Sequence, residues 1–451
     1  MIQIETLKEY IENRQFAKIR DEIVEMNEVD IAEMLEELNT EVEKTELLKV
    51  FRMLPKGIAA DVFSFLPIEV EQKIITSLTD REAANIIENL FADDAADLME
   101  EMPANVVSRL LAHTTPETRR DINHLLQYPE DSAGSVMTVE FVDLKEGFTV
   151  KAAIDRIRKV GIDKETINTC YVTTADRKLK GTVSLRNLLF ASQEDVIGDL
   201  MEENVITINT LMDQEEVAHI FQKYDFDAMP VVDSENRLVG IITVDDVMDI
   251  IEQEATEDIE MIAAIAPTDK PYMKTSTFET YKKRIMWLLL LMLSSTFTSK
   301  IIQGYQDALA TYAILTMYIP MFMGTGGNAG GQASVTIIRS LSLGELEFRD
   351  ILRVIWKETR VAVLCGITLT AANFVKLMLL DGVNMQVAAV VSLTLIVTVI
   401  VAKIVGCALP MLVKQVGVDP AVMASPLITT IVDAVSLVIY FQIATRMLGI
   451  G

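Results

Sequence analysis

Sixteen consecutive residues, VAAVVSLTLIVTVIVA (387–402), carry no charge. At 1.5 Å per residue such a run crosses most of the roughly 30 Å hydrocarbon layer of a bilayer. Further apolar runs follow Lys283, and five spans are expected at about 285–303, 308–329, 361–380, 387–413 and 422–448. A soluble chain would have to bury all of them in one core, which is the poorer reading. Charge divides the chain at the same place. From Tyr281 onward there are 13 Lys+Arg against 8 Asp+Glu, whereas residues 1–280 carry 27 against 58, a net of −31. So acidic a soluble part repels a phosphate backbone, which argues against nucleic acid and is compatible with cations. The 451 residues suit about three domains at roughly 150 residues each.

Cys170, Cys365 and Cys407 are far apart and odd in number, which excludes a disulfide framework or a CxxC zinc site. The opening MIQIETLKEYIENRQF has no apolar core of signal-peptide length, so the N-terminal part is expected in the cytoplasm. Lys282, Lys283, Arg284, Arg339, Arg349, Arg353, Lys357, Arg360 and Lys414 fall on one side of the expected spans, and Lys300, Lys376 and Arg446 on the other. The positive-inside bias then keeps the N-terminus inside and, with five spans, places the C-terminus outside. LGELEFRDILRVIWKE reads as an interfacial helix on the cytoplasmic face.

The acidic part shows two kinds of repeat. Leu54-Pro55, Leu66-Pro67, Leu78-Thr79, Leu90-Phe91 and Met102-Pro103 recur every twelve residues, with short helical stretches between them. This predicts an α-helical superhelix, or solenoid, over 1–134. Over 135–254 two β-α-β-β-α-like copies follow, in which Met137 matches Met201 and Gly181 matches Gly240. The tandem is similar to a CBS-domain pair. In such pairs the cleft between the copies holds an adenine nucleotide, so ATP is a candidate ligand, with Asp245 and Asp246 as candidate ribose contacts. Their alternative role is helix capping. Residues 255–283 read as a connecting helix broken by Pro267 and Pro271, and 284–451 as the membrane domain.

Charge inside a span costs roughly 2.5–3.5 kcal/mol on insertion scales. Asp433 lies about ten residues into the fifth expected span and Lys403 deep in the fourth. Asp433 either pairs with Lys403 or forms a cation site, and Lys403 is expected to snorkel to the cytoplasmic interface. In MFMGTGGNAGGQAS (321–334), glycines allow close helix packing or free backbone carbonyls for a water-filled path, and Asn328 adds a side-chain oxygen. All three histidines, His113, His124 and His219, are in the soluble part, and no span pairs a histidine with a thiolate cluster. Soft metals are therefore disfavoured. Mg²⁺, which keeps its waters, needs only one or two carboxylates, and a twofold dimer would bring two Asp433 side chains to one ion. Asp93 and Asp97 share a helix face, and VDDVMDIIEQEATED holds Asp245, Asp246, Asp249, Glu252, Glu254, Glu257 and Asp258. A like-charge pair at 6 Å costs about 0.7 kcal/mol even at water's dielectric. Mg²⁺ could bridge such faces, and its loss would part them.

The order of these segments, together with YPEDSAGSVMT (128–138), GGNAGGQAS (326–334) and DPAVMASPLITTIVDA (419–434), resembles the MgtE family of bacterial magnesium transporters. The resemblance implies a homodimeric Mg²⁺ channel of the inner membrane, not an enzyme, closed when cytoplasmic Mg²⁺ is high. It implies that Asp433 holds the hydrated ion, that Asn328 lines the pore and that Asp419 lies near the cytoplasmic mouth. It further implies that Asp93, Asp97, Asp245, Asp246, Asp249, Glu254, Glu257 and Asp258 are regulatory Mg²⁺ ligands and that the connecting helix is a plug. Two alternatives stay open: a CBS-regulated transporter of Co²⁺ or Mn²⁺, and a membrane-anchored Mg²⁺ or nucleotide sensor that transports nothing.

Overall fold

The computed structural model describes residues 4–42, 44–55, 57–268, 272–273, 275–423 and 425–449. The chain forms two compact units, residues 1–250 and 251–451. In the first, the twelve-residue period becomes a row of short helices. Their N-caps are Pro67, Thr79, Phe91, Pro103 and Thr115, each extended or close to it, and each twelve residues after the last. Thr79 closes a full capping box with Glu82. The residue before each cap points inward: Leu66, Leu78, Met102 and Thr114 are buried. Leu66, Leu78 and Met102 join a single apolar cluster running from Leu7 to Ile122, and the half-buried Leu90 packs against it.

The CBS-like tandem forms two three-stranded sheets, β1 (Asp143–Leu144), β2 (Thr169–Thr173) and β3 (Leu179–Ser184), then β4 (Ile208–Asn209), β5 (Ala228–Val232) and β6 (Leu238–Thr243). In each, the first pair is parallel and the second antiparallel, and Val172↔Gly181 has its counterpart in Val231↔Gly240. Both copies carry an irregularity at the next residue. The matched residues cross over. Met201 lies on Gly181 and Met137 on Gly240, where an added Cβ would meet the methionine sulfur at 3.0 and 2.6 Å. The entry to each copy thus seals the sheet of the other, and neither would be complete alone. YPEDSAGSVMT is the tie to the solenoid: the Tyr128 ring covers Gly134, whose N–H donates to the Thr210 carbonyl at 2.9 Å.

The helix Val244–Ile262 runs without a break through the boundary expected at 254, because VDDVMDIIEQEATEDIEMI contains no Gly or Pro. The connecting helix expected over 255–283 is thus the end of this longer one. It stops near Ala264, which has a left-handed φ of 55°, and Pro267 stands beyond it. Pro271 lies outside the described residues.

The second unit contains five long helices: Thr277–Gly304, Ile319–Ser342, Ile351–Leu379, Met385–Gln415 and Ser425–Leu448. Among the described residues, four helices are long and apolar enough to cross a membrane, and Ile319–Ser342 is not one of them. Two expectations need correction. The second span was placed at 308–329, but the chain forms two short helical segments, Gln306–Thr311 and Ala313–Tyr318, before the long helix starts at Ile319. Pro320 sits in its first turn, where a missing N–H costs nothing. The expected interfacial helix is the beginning of Ile351–Leu379, preceded by one 3-10 turn at Phe348–Asp350.

The glycines of Ile319–Ser342 lie within a continuous helix, so their carbonyls are engaged in it and are not freed for a pore. Their role is close approach. A Cβ on Gly406 would sit 2.2 Å from the Gly330 carbonyl oxygen, whereas Gly324 has open space. Gly406→Ala is therefore expected to destabilise this unit by about 1–3 kcal/mol, read as a lower thermal-unfolding midpoint in detergent. Gly324→Ala is expected to leave the midpoint unchanged, and equal midpoints for all three proteins would contradict the packing described.

Candidate functional site

Asp433 lies in the helix Ser425–Leu448, half-buried, and its Oδ1 is buried with no hydrogen-bond partner. The preceding Val432 packs where a Cβ on Gly326 or Gly330 would be, so the carboxylate is held one step from the seam between its helix and the glycine-rich one. Lys403 does not neutralise it. The Lys403 ammonium is buried and pairs with Glu358 at 3.3 Å, the two side chains being 7% and 13% exposed. This corrects the expectation that Lys403 snorkels: an acid on the helix Ile351–Leu379 meets it in the interior. Glu358 was missed because WKETRV looked like an interfacial segment.

Asn328 is exposed on the glycine-rich helix, whose opposite side, including Gly326, Gly327, Gly330 and Ala333, is buried. Gly324, Asn328, Gln332 and Thr336, at i,i+4 spacing, and Arg339, three residues further on, form an exposed stripe on that helix. Amide side chains facing hydrocarbon are costly, so this stripe suits water or another protein surface. Gln332 escaped notice in the sequence although it shares the phase of Asn328. Asp419 is exposed and caps the turn Pro420–Met423, its Oδ1 accepting the Ala421 N–H at 2.8 Å.

The first unit gathers acids from five segments, one of them the helix Ile68–Ile75 with Glu71. Asp93 and Asp94 occupy the first turn of Ala92–Glu100, and Asp245 and Asp246 the first turn of Val244–Ile262. A carboxylate there gains from its own helix dipole. Glu140 and Glu165 come from neighbouring loops, joined by a Glu165 N–H to Glu140 carbonyl bond of 2.9 Å. Burial pushes Asp93 well above the carboxyl range, and Asp94, Asp246 and Glu140 push it further. Its Oδ1 is buried without a partner. Burial, then Asp246, Glu140 and Asp245, raises Asp94 to about 6. Asp97, though exposed at one edge, rises to about 7 through burial, Asp94, Glu100 and Asp246. Glu165 rises to about 7 through burial and the charges of Asp246 and Asp245. Glu71 rises to about 9 through burial, Asp94 and Asp97. Asp246 is raised by burial, although the Thr243 hydroxyl donates to it at 2.6 Å.

The structure thus unites Asp93, Asp97, Asp245 and Asp246, with Asp249 acting on Asp246. It adds Glu71, Asp94, Glu140 and Glu165. Glu71 had a legible signal, an acid in apolar phase with Val70, Ile74 and Ile75. Glu254, Glu257 and Asp258 belong to the second unit, where Asp258 accepts a hydrogen bond from the Ser342 hydroxyl at 3.1 Å. Among the described residues no three His, Cys, Asp or Glu side chains stand at distances that would hold a metal ion directly. The cluster's chemistry fits an ion that keeps its water, since hydrated Mg²⁺ is held through outer oxygens.

A third feature is a cavity of about 370 Å³ between the CBS-like copies, lined by Tyr171, Ser184, Asn187, Glu202, Asn204 and Phe226 among others. Asp245 and Asp246 do not line it. The Tyr171 hydroxyl is buried without a partner.

Two outcomes follow. The raised carboxyls bind protons better in the folded cluster than in the unfolded chain, so metal-free stability is greatest at low pH and falls as pH rises through about 6 to 7. Limited proteolysis of the full chain should show the metal-free first unit protected at pH 5 and cleaved at pH 8, with Mg²⁺ restoring protection at pH 8. Protection that increases with pH in the absence of metal would contradict this. For the buried pair, Glu358→Gln should destabilise the membrane unit by about 3 kcal/mol, and adding Lys403→Met should recover part of it. A double variant worse than the single one by the full cost of a second substitution would show the pair to be uncoupled.

Comparison with known proteins follows the same division. Residues 319–443 match the family model described as a divalent cation transporter, MgtE, residues 26–131 that of the MgtE intracellular N domain, and residues 197–253 that of the CBS domain. The chain is 40% identical over 333 residues to the magnesium transporter MgtE of Thermus thermophilus, covering 74% of each. It is 37% identical over 329 residues to the magnesium transporter MgtE of Bacillus subtilis, covering 72% of this chain and 71% of that one. A crystal structure of the cytosolic domain of the Mg²⁺ channel MgtE in complex with ATP covers 55% of this chain and 100% of its own, with 36% identity and a TM-score of 0.51.

Proposed function

The chain belongs to the MgtE family of magnesium transporters, and we propose that it is a homodimeric, Mg²⁺-selective channel closed by Mg²⁺ bound at its own cytosolic acid cluster. It is a multi-pass membrane protein with candidate spans in its C-terminal half. The observation that carries the ion path is the unpartnered Asp433 carboxylate among apolar helices, with the nearby cation already committed to Glu358. Such a group favours a cation, and a single carboxylate suits one that arrives with its water shell. The polar stripe through Asn328 and Gln332 supports a second copy: two stripes facing across a twofold axis would line a wet path and remove the amides from lipid. In this reading the N-terminus and both cytosolic domains lie inside and the C-terminus outside, Asp419 stands near the inner mouth, and the plasma membrane is the site of uptake.

Closure follows from electrostatics. At neutral pH the cluster of Asp93, Asp94, Asp97, Asp245, Asp246 and Glu165 pays repulsion in the compact arrangement, and hydrated Mg²⁺ offsets it. High cytosolic Mg²⁺ favours the compact state and low Mg²⁺ the separated one. Glu254, Glu257 and Asp258 extend the acid series along the helix that leads toward the membrane unit. ATP is the proposed occupant of the cavity beside Tyr171, Ser184 and Phe226, on the likeness to the ATP-bound cytosolic domain. Oxygen-only ligands disfavour thiolate-seeking metals, and competition by Co²⁺ and Mn²⁺ in an uptake assay separates Mg²⁺ from the other oxygen-seeking divalent ions.

Asp433→Ala should abolish growth rescue of a Mg²⁺-transport-deficient host at low external Mg²⁺, while the protein still reaches the membrane. Normal rescue would overturn the assignment of Asp433. Asp93→Asn with Asp246→Asn removes both the repulsion and the groups that hold the ion, so channel current should no longer depend on internal Mg²⁺ up to millimolar levels, and unchanged Mg²⁺ inhibition would overturn the closure mechanism.

A further inference from the structure

At the start of the first long helix, Lys282, Lys283 and Arg284 are followed at once by IMWLLLLMLSS. A cavity of about 550 Å³ opens beside this junction. Its head is polar, with Thr275, Thr280 and Arg284, and its lower wall is apolar, with Met273, Ile285 and Leu288. Arg284 is the one charged side chain among the residues that line it. Its neighbours are occupied otherwise: the Lys283 ammonium donates to the Pro267 carbonyl, and Lys282 lies over the Phe278 ring at 5.1 Å. Arg284 has no carboxylate partner among the described residues. Around the mouth, Tyr272, Phe278 and Tyr281 are exposed by 75%, 65% and 54%, as aromatic side chains are at a membrane interface.

The Thr280 hydroxyl donates to the Ser276 carbonyl at 3.1 Å, so the Arg284 guanidinium is the group that matches a phosphodiester, and the apolar wall matches acyl methylenes. The helix enters the bilayer at this level, so the ligand that offers both chemistries in one molecule is a lipid. We propose that this cavity binds one anionic glycerophospholipid of the cytoplasmic leaflet, its phosphate on Arg284 and its chains along Ile285 and Leu288. The lipid would tie the start of the first span to Tyr272 and Met273, which line the cavity with it. The proposal rests on the membrane character of Thr277–Gly304 and not on which ion is transported.

Trp287, one turn further on, provides the readout, because the chain has only one other tryptophan, Trp356. In a Trp356→Phe background, the full-length protein is reconstituted in vesicles containing brominated phosphatidylglycerol or brominated phosphatidylcholine, and Trp287 quenching is titrated. The expected result is a preference for phosphatidylglycerol that falls about fivefold in Arg284→Gln, since one basic residue near the surface is worth about that factor. Lys282→Gln, outside the cavity, should change it less. Quenching by phosphatidylcholine alone should be the same in every variant, which reports an inserted and folded helix. Millimolar inorganic phosphate should not relieve the quenching by phosphatidylglycerol. Equal quenching by the two lipids, an equal loss in Lys282→Gln, relief by inorganic phosphate, or no quenching by either lipid would each overturn the proposal.

Discussion

A carboxylate placed among apolar helices with nothing beside it to cancel its charge is the constraint on which the membrane unit turns. Leaving an ion bare in a low dielectric is costly, and proteins relieve the cost by pairing, by protonation or by a bound cation. The chain uses pairing for the buried Lys403 and Glu358 and, among the described residues, does not use it for Asp433. The surrounding architecture then serves the unpaired acid. Gly330 and Gly406 bring helix backbones together, Val432 fills the seam they create, and Asp433 is left one residue beyond it.

The first unit applies the same physics to its acid cluster. Two helix starts, each favourable to its own first-turn acids, are brought near one another, so that Asp93 and Asp94 meet the field of Asp246. What each helix gains from its dipole, the assembly loses to repulsion. In the proposed mechanism one ion therefore serves twice, as cargo at a membrane carboxylate and as the counter-charge that holds the sensor compact.

Much of the fold was legible before any coordinate. The twelve-residue spacing reappears as N-caps twelve residues apart, because one residue type, an apolar side chain followed by a cap, marks each helix end. The pairing of Gly181 with Gly240 reappears as equal strand registers. What was not legible depends on distance in the chain. Glu358 and Lys403 are 45 residues apart, and no local pattern says that an acid beside Trp356 turns inward. Glu140 and Glu165 join the acid cluster only through the sheet that carries them. The second long helix was misplaced because hydropathy rises before Pro320, whereas the helix is defined by that proline and by glycines that lower its hydropathy.

The most direct measurement is an anomalous map from crystals of the full chain grown with Mn²⁺ in place of Mg²⁺. The account predicts a peak on a twofold axis between two copies, about 4 to 5 Å from both Asp433 carboxylates, the distance of an ion held through its own waters. Asp433 turned toward lipid, or a dimer in which the two Asp433 side chains share no ion, would contradict it.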